Sequence, residues 1–83
     1  MREIDELRPL TAGRLLAIWR ESREAAEDPL ERTLLCNAAV LAESCFFRGQ
    51  RAFSDGAAVL EALTGRQIEA LLRRLAAGGE PPA

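Results

Sequence analysis

Few residues in this chain are able to carry chemistry, and their spacing limits them further. There is no histidine, which removes the ordinary Ser-His and Cys-His nucleophile pairs. Carboxylates cluster at Glu24, Glu27 and Asp28, a grouping that could do general acid–base work. They fall at the polar end of a helical segment, where a solvated acidic patch is the commoner outcome. The two thiols are Cys36 and Cys45. If both sit on one helix, they lie about 13.5 Å apart along its axis and on opposite faces. A disulfide tolerates a Cα separation of roughly 7 Å, so both are expected to be free, as in a reducing compartment. Two such cysteines supply no zinc-type ligand set. The "GRQIEALL" segment lacks the Lys-Ser/Thr of a phosphate-cradling loop. The expectation is a protein without catalytic residues, metal or cofactor, and not an enzyme.

One stretch does concentrate recognition chemistry: "CFFRGQRAFSDGAAVLEALTGRQIEALLRRL", residues 45–75. Phe46, Phe47 and Phe53 crowd around a short polar loop beside Arg48 and Arg51. Aromatic and arginine side chains are what protein-binding hot spots favour. The same mixture occurs in proteins that stack single-stranded nucleic acid. A net charge of −2 and a pI near 5.1 weigh against that partner. The segment "LTGRQIEALLRRLAAG" is similar to the first helix of response-regulator DNA-binding domains. Those domains place a recognition helix further downstream, whereas Gly-Gly-Glu-Pro-Pro-Ala follows here. Phe46, Phe47, Arg48, Arg51 and Phe53 are therefore the candidate protein-binding set, with nucleic acid unlikely. For any one phenylalanine a place in a small core is the plainer reading; for the set, at least one exposed ring is expected.

Helices must position these residues. Thr11 is a plausible N-cap for "AGRLLAIWRESREAAE", on which Leu15, Leu16 and Trp19 share a face. Asp28-Pro29-Leu30-Glu31 puts Asp at the cap, Pro at the first helical position and Glu at N3. The helix that follows carries the stripe Leu30, Leu34, Ala38, Leu41, Ala42 and Cys45, with Leu35, Val40 and Phe47 off it. Being apolar on more than one side, it is expected to be central, spanning 29–47 and ending at Gly49. Ser54 or Asp55 then caps a short helix, "GAAVLEAL". Thr64 and Gln67 form a second capping box. The helix it opens sets Ile68, Leu71, Leu72 and Leu75 opposite Arg66, Glu69, Arg73 and Arg74. No segment alternates as a strand does, and "IDELRPL" is a lead-in that could be extended. The fold class expected is all-α: a small single-domain bundle of about four helices with a short third helix.

Eighty-three residues bound this to one domain, 1–77, with 78–83 as a flexible tail. A chain of this length buries about 60–65% of its unfolded surface, so its core is thin and homo-oligomerisation would help it. All eleven basic residues are arginine, as a GC-rich genome would give. No apolar run approaches the roughly 20 residues a membrane span needs. The charged start "MREIDELRPL" lacks a signal peptide's apolar segment, so the expected location is cytoplasmic.

An apolar helix with Asn37, a loop with Gly49, then "AFSDGAAVLEAL" and "LTGRQIEALLRRLA" resembles the C-terminal half of small phage and prophage tail assembly chaperones. The matching positions are Asn37, Gly49, Phe53, Asp55, Val59, Leu60, Leu63, Thr64, Gln67 and Ile68. "LRPLTAGRLLAIW" fits the "PLT" entry common in that group, and the likeness covers roughly residues 7–77. Many of those chaperones are longer and carry a further N-terminal segment. The resemblance implies a chaperone or tail accessory factor that covers a helical tape-measure-like cargo, in the host cytoplasm if phage-encoded. The alternative reading is a small regulatory helical domain that binds nucleic acid or another protein.

Overall fold

The computed structural model describes residues 4–78. In chain order it has β1 (Glu6–Leu7), α1 (Ala12–Ala25), α2 (Pro29–Ser44), β2 (Cys45–Phe47), β3 (Gln50–Arg51), α3 (Gly56–Ala62) and α4 (Gly65–Gly78). The four helices, the third short, are as the sequence predicts. The purely helical fold class is not: β1, β2 and β3 form a three-stranded antiparallel sheet in that order. Most of the expected tail, 79–83, lies outside the described residues.

Each helix begins where its cap places it. The Thr11 hydroxyl accepts from the Arg14 amide, the Asp28 carboxylate from Leu30, and the Asp55 carboxylate from Ala58. At α4 the box is reciprocal. Thr64 Oγ1 accepts from the Gln67 amide at 3.2 Å, and Gln67 Oε1 accepts from the Thr64 amide at 2.8 Å. These bonds satisfy backbone donors that a helix start otherwise leaves to water.

The second helix stops at Ser44, three residues before its expected end at Phe47. Arg48 and Gly49 follow with φ of +52° and +81°, both left-handed. Two such residues between paired strands match the twist of a tight hairpin, and Phe47 pairs with Gln50 across them. Cys45-Phe46-Phe47 thus gains strand partners on both sides, since β1 pairs with it as well. Aromatic residues suit a half-buried pleated surface. The lead-in that could be extended is indeed a strand, held by Asp5 N–H to Phe46 C=O and Arg8 N–H to Ser44 C=O.

The α2 helix is central, touching α1, α3, α4 and the sheet. Ala38, Leu41, Ala42 and Cys45 of its stripe are buried with Phe53, Val59, Leu63, Ile68 and Leu71. The start of the stripe is not covered: Leu30 is 68% exposed and Leu34 38%. The third helix crosses α2 at Gly56, where an added Cβ would stand 3.3 Å from the Ala39 amide nitrogen. That is tighter than an ordinary Cβ contact, so a side chain at residue 56 would require α2 to give by a few tenths of an ångström.

Candidate functional site

The aromatic–arginine segment becomes the hairpin β2–β3, and strand alternation sorts its side chains. Cys45 and Phe47 turn inward; Cys45 is fully buried and Phe47 lies against the core cluster. Phe46 therefore turns outward, with Arg51 directly across from it on β3 and Glu6 across on β1. The Arg8 guanidinium lies over the Phe46 ring, 3.9 Å from its centroid, and is itself paired with Glu6 at 3.0 Å. The Arg48 guanidinium lies 5.0 Å from the centre of the Phe47 ring. A cation over an aromatic face is an attractive contact of about 0.5–1 kcal/mol when exposed.

The five candidates thus divide. Arg48 and Arg51 are exposed; Phe46 and Phe47 are both part-buried. Phe53, at 0% exposure, is among the largest fully buried side chains of the fold and has no face to offer a partner. The rings are hidden better than one loop could manage, because β1 supplies Arg8 and the helices supply the core around Phe53. The loop arginines have acidic neighbours in the fold. Asp5 accepts from the Arg48 amide at 3.0 Å, and Arg51 helps Arg14 to hold the Glu43 carboxyl below the usual range. The dominant cause there is Arg14, whose Nε donates to Glu43 at 2.8 Å.

A second surface was not anticipated. The Leu15–Leu16–Trp19 face of α1 does not enter the core. Those residues are 41%, 48% and 41% exposed, and α1 buries Ile18 and Ser22 instead. Ser22 donates back to the Ile18 carbonyl, which makes a polar residue tolerable there. Between α1, α2 and α4 runs a groove of about 500 Å³. Leu15 forms one wall, Leu72, Leu75 and Ala76 the other, and Cys36, Asn37 and Val40 the floor; Pro9 and Leu10 border it as well. The sequence carried only a partial signal for it: α1 has Leu15/Leu16/Trp19 on one side and Ile18 on another, and only one side can meet α2.

Asp28 is occupied as a helix cap, and Glu24 and Glu27 are exposed. No group of three or more Cys, Asp or Glu side chains among the described residues is placed to hold a metal ion. Cys45 and Cys36 are both free. Burial pushes the Cys45 thiol up to about 11 and raises that of Cys36 as well. No helix among the described residues is long and apolar enough to cross a membrane. No protein-family model, curated protein or solved structure matches this chain.

Proposed function

We propose that this chain is a non-enzymatic chaperone or accessory factor of phage-type tail assembly, which covers a helical tape-measure-like cargo in the host cytoplasm. The observation that supports this reading is the Leu15, Leu16 and Trp19 face, left in solvent beside an apolar groove. An 83-residue chain with a thin core has reason to bury a tryptophan and two leucines, and this one does not. An exposed apolar face beside a groove is a candidate interaction surface. A groove between helices suits an amphipathic helix, whose apolar face is what a long helical cargo exposes before assembly. Phe46 with Arg48 and Arg51 supplies a smaller flanking contact.

The test is co-expression with a long helical tape-measure protein that aggregates alone. Wild-type chain should keep the cargo soluble. Leu15→Glu/Leu16→Glu should stay folded by circular dichroism and release the cargo into the pellet. A variant that protects as well as wild type would overturn the assignment of this face to cargo.

A further inference from the structure

We infer that the outer face of α1 pairs, antiparallel and about a twofold axis, with the same face of a second copy, so that the free protein closes on itself the surface it offers to cargo. The pairing is read from α1; the chaperone reading supplies only what the dimer competes with. Ala12, Leu16, Trp19 and Arg23 stand at i, i+4, i+7 and i+11, the alternating spacing of a coiled-coil seam, and all four are exposed. Ile18 and Ser22, on another side of the helix, are the residues that α1 buries. Leu15 flanks the seam on its groove side. Gly13 flanks it on the other, where nothing stands within 4 Å of an added Cβ.

The seam complements itself in one orientation. Its small residue, Ala12, lies at the N-terminal end, and its largest, Trp19, in the C-terminal half. A twofold axis between Leu16 and Trp19 sets Leu16 opposite Trp19 of the second copy and Ala12 opposite its Arg23. Each Trp19 then enters a hole bounded by Ala12, Leu15 and Leu16 of the other copy, with Gly13 adding open space at its edge. The apolar stem of Arg23 crosses Ala12, and its guanidinium reaches solvent beyond. Arg23 lies about 8 Å along the helix from the twofold, which puts it about 16 Å from its twin, past the screening length of about 8–10 Å. A parallel pair would instead set Arg23 beside Arg23 and Trp19 against Trp19, and leave a gap at Ala12. Area sets the strength. The 14 residues of α1 make a seam about 21 Å long and one helix wide, well below the roughly 800 Å² per partner of a stable interface. The pair is therefore weak, with a dissociation constant on the order of 100 μM. A cargo helix that fills the groove as well displaces it.

Cysteine cross-linking reads the register. In a Cys36→Ala background the one remaining thiol, Cys45, is buried. There Ala12→Cys/Arg23→Cys should oxidise to a disulfide-linked dimer, since each introduced thiol meets the other position of the second copy. Within one chain the two positions are about 16 Å apart along the helix, beyond the roughly 7 Å a disulfide tolerates. Ala12→Cys alone and Arg23→Cys alone should cross-link at least about tenfold more slowly, because each faces a twin equally far away. Sedimentation should show wild type passing from monomer to dimer around about 100 μM, and Leu16→Glu monomeric throughout. A single-cysteine variant that cross-links as fast as the double, or a wild-type chain monomeric at every concentration, would overturn the inference. The oxidised double variant should fail to keep tape-measure cargo soluble and recover on reduction; full protection while oxidised would overturn the competition. If the cross-links form as expected but reduced protein protects no cargo, the chaperone reading fails and the dimer stands. If a chain that never dimerises protects cargo, the dimer fails and that reading stands.

Discussion

Phe53 offers the sharpest test of how this fold divides its aromatic residues. Its side chain is 0% exposed amid Ala38, Leu41, Cys45 and Val59. Burying a phenylalanine removes about 200 Å² from water, which at about 25 cal/mol per Å² is roughly 5 kcal/mol. Measured Phe→Ala losses of about 3–5 kcal/mol agree with that. A chain this short has about 4–12 kcal/mol in total. Phe53→Ala should therefore consume a large share of the stability. With a urea slope of about 1 kcal/mol per M, its midpoint should fall by about 3–5 M, or the variant should be unfolded outright. Phe46→Ala, which loses a part-buried ring beneath Arg8, should cost less, about 2–3 kcal/mol. Urea titration followed by circular dichroism measures both. A Phe53→Ala loss below about 1 kcal/mol, or a Phe46→Ala loss as large as that of Phe53→Ala, would refute the division into core and surface.

Other outcomes follow from individual contacts. Thr64→Ala removes half of the capping box at α4 and should cost about 1 kcal/mol, with an unchanged denaturant slope. Gly49→Ala places a side chain at φ +81° and should cost about 1 kcal/mol, read as a lower melting temperature. In native protein a thiol reagent should modify Cys36 and leave Cys45 until unfolding, because Cys45 is buried and its thiol is pushed up to about 11; equal native rates would contradict that burial. Arg14 holds the Glu43 carboxyl below its ordinary range, so its contribution is full above the unfolded value of about 4.3 and fades as pH falls through the lower folded value. Acid unfolding curves of wild type and Glu43→Gln should accordingly converge at low pH and separate above it.

Local rules were legible in the sequence because they act within one turn of chain. Thr11, Asp28, Asp55 and Thr64 declare helix starts, since a side-chain oxygen two or three residues from a free amide needs no distant partner. The centrality of α2 was legible too, from apolar residues on more than one side. What the sequence could not decide was which faces meet. Phe46 and Phe47 continue the helical pattern of α2, and only pairing with Glu6–Leu7, nearly forty residues earlier, makes them a strand. Arg48-Gly49 was the local hint, but a hairpin turn is stable only when strands are there to flank it. Phe53 reads as a loop residue until α3 and α4 close over it. Leu15, Leu16 and Trp19 share a face in the sequence, with nothing to say where it points; the tight turn into α2, with Arg32 donating to the Ala26 carbonyl, and the Arg14–Glu43 pair accompany the other face, that of Ile18 and Ser22, in meeting α2. Rotation of a helix about its axis is a property of all its contacts at once. One-dimensional spacing therefore determined where the helices are, and tertiary packing alone decided which apolar surface was left for a partner.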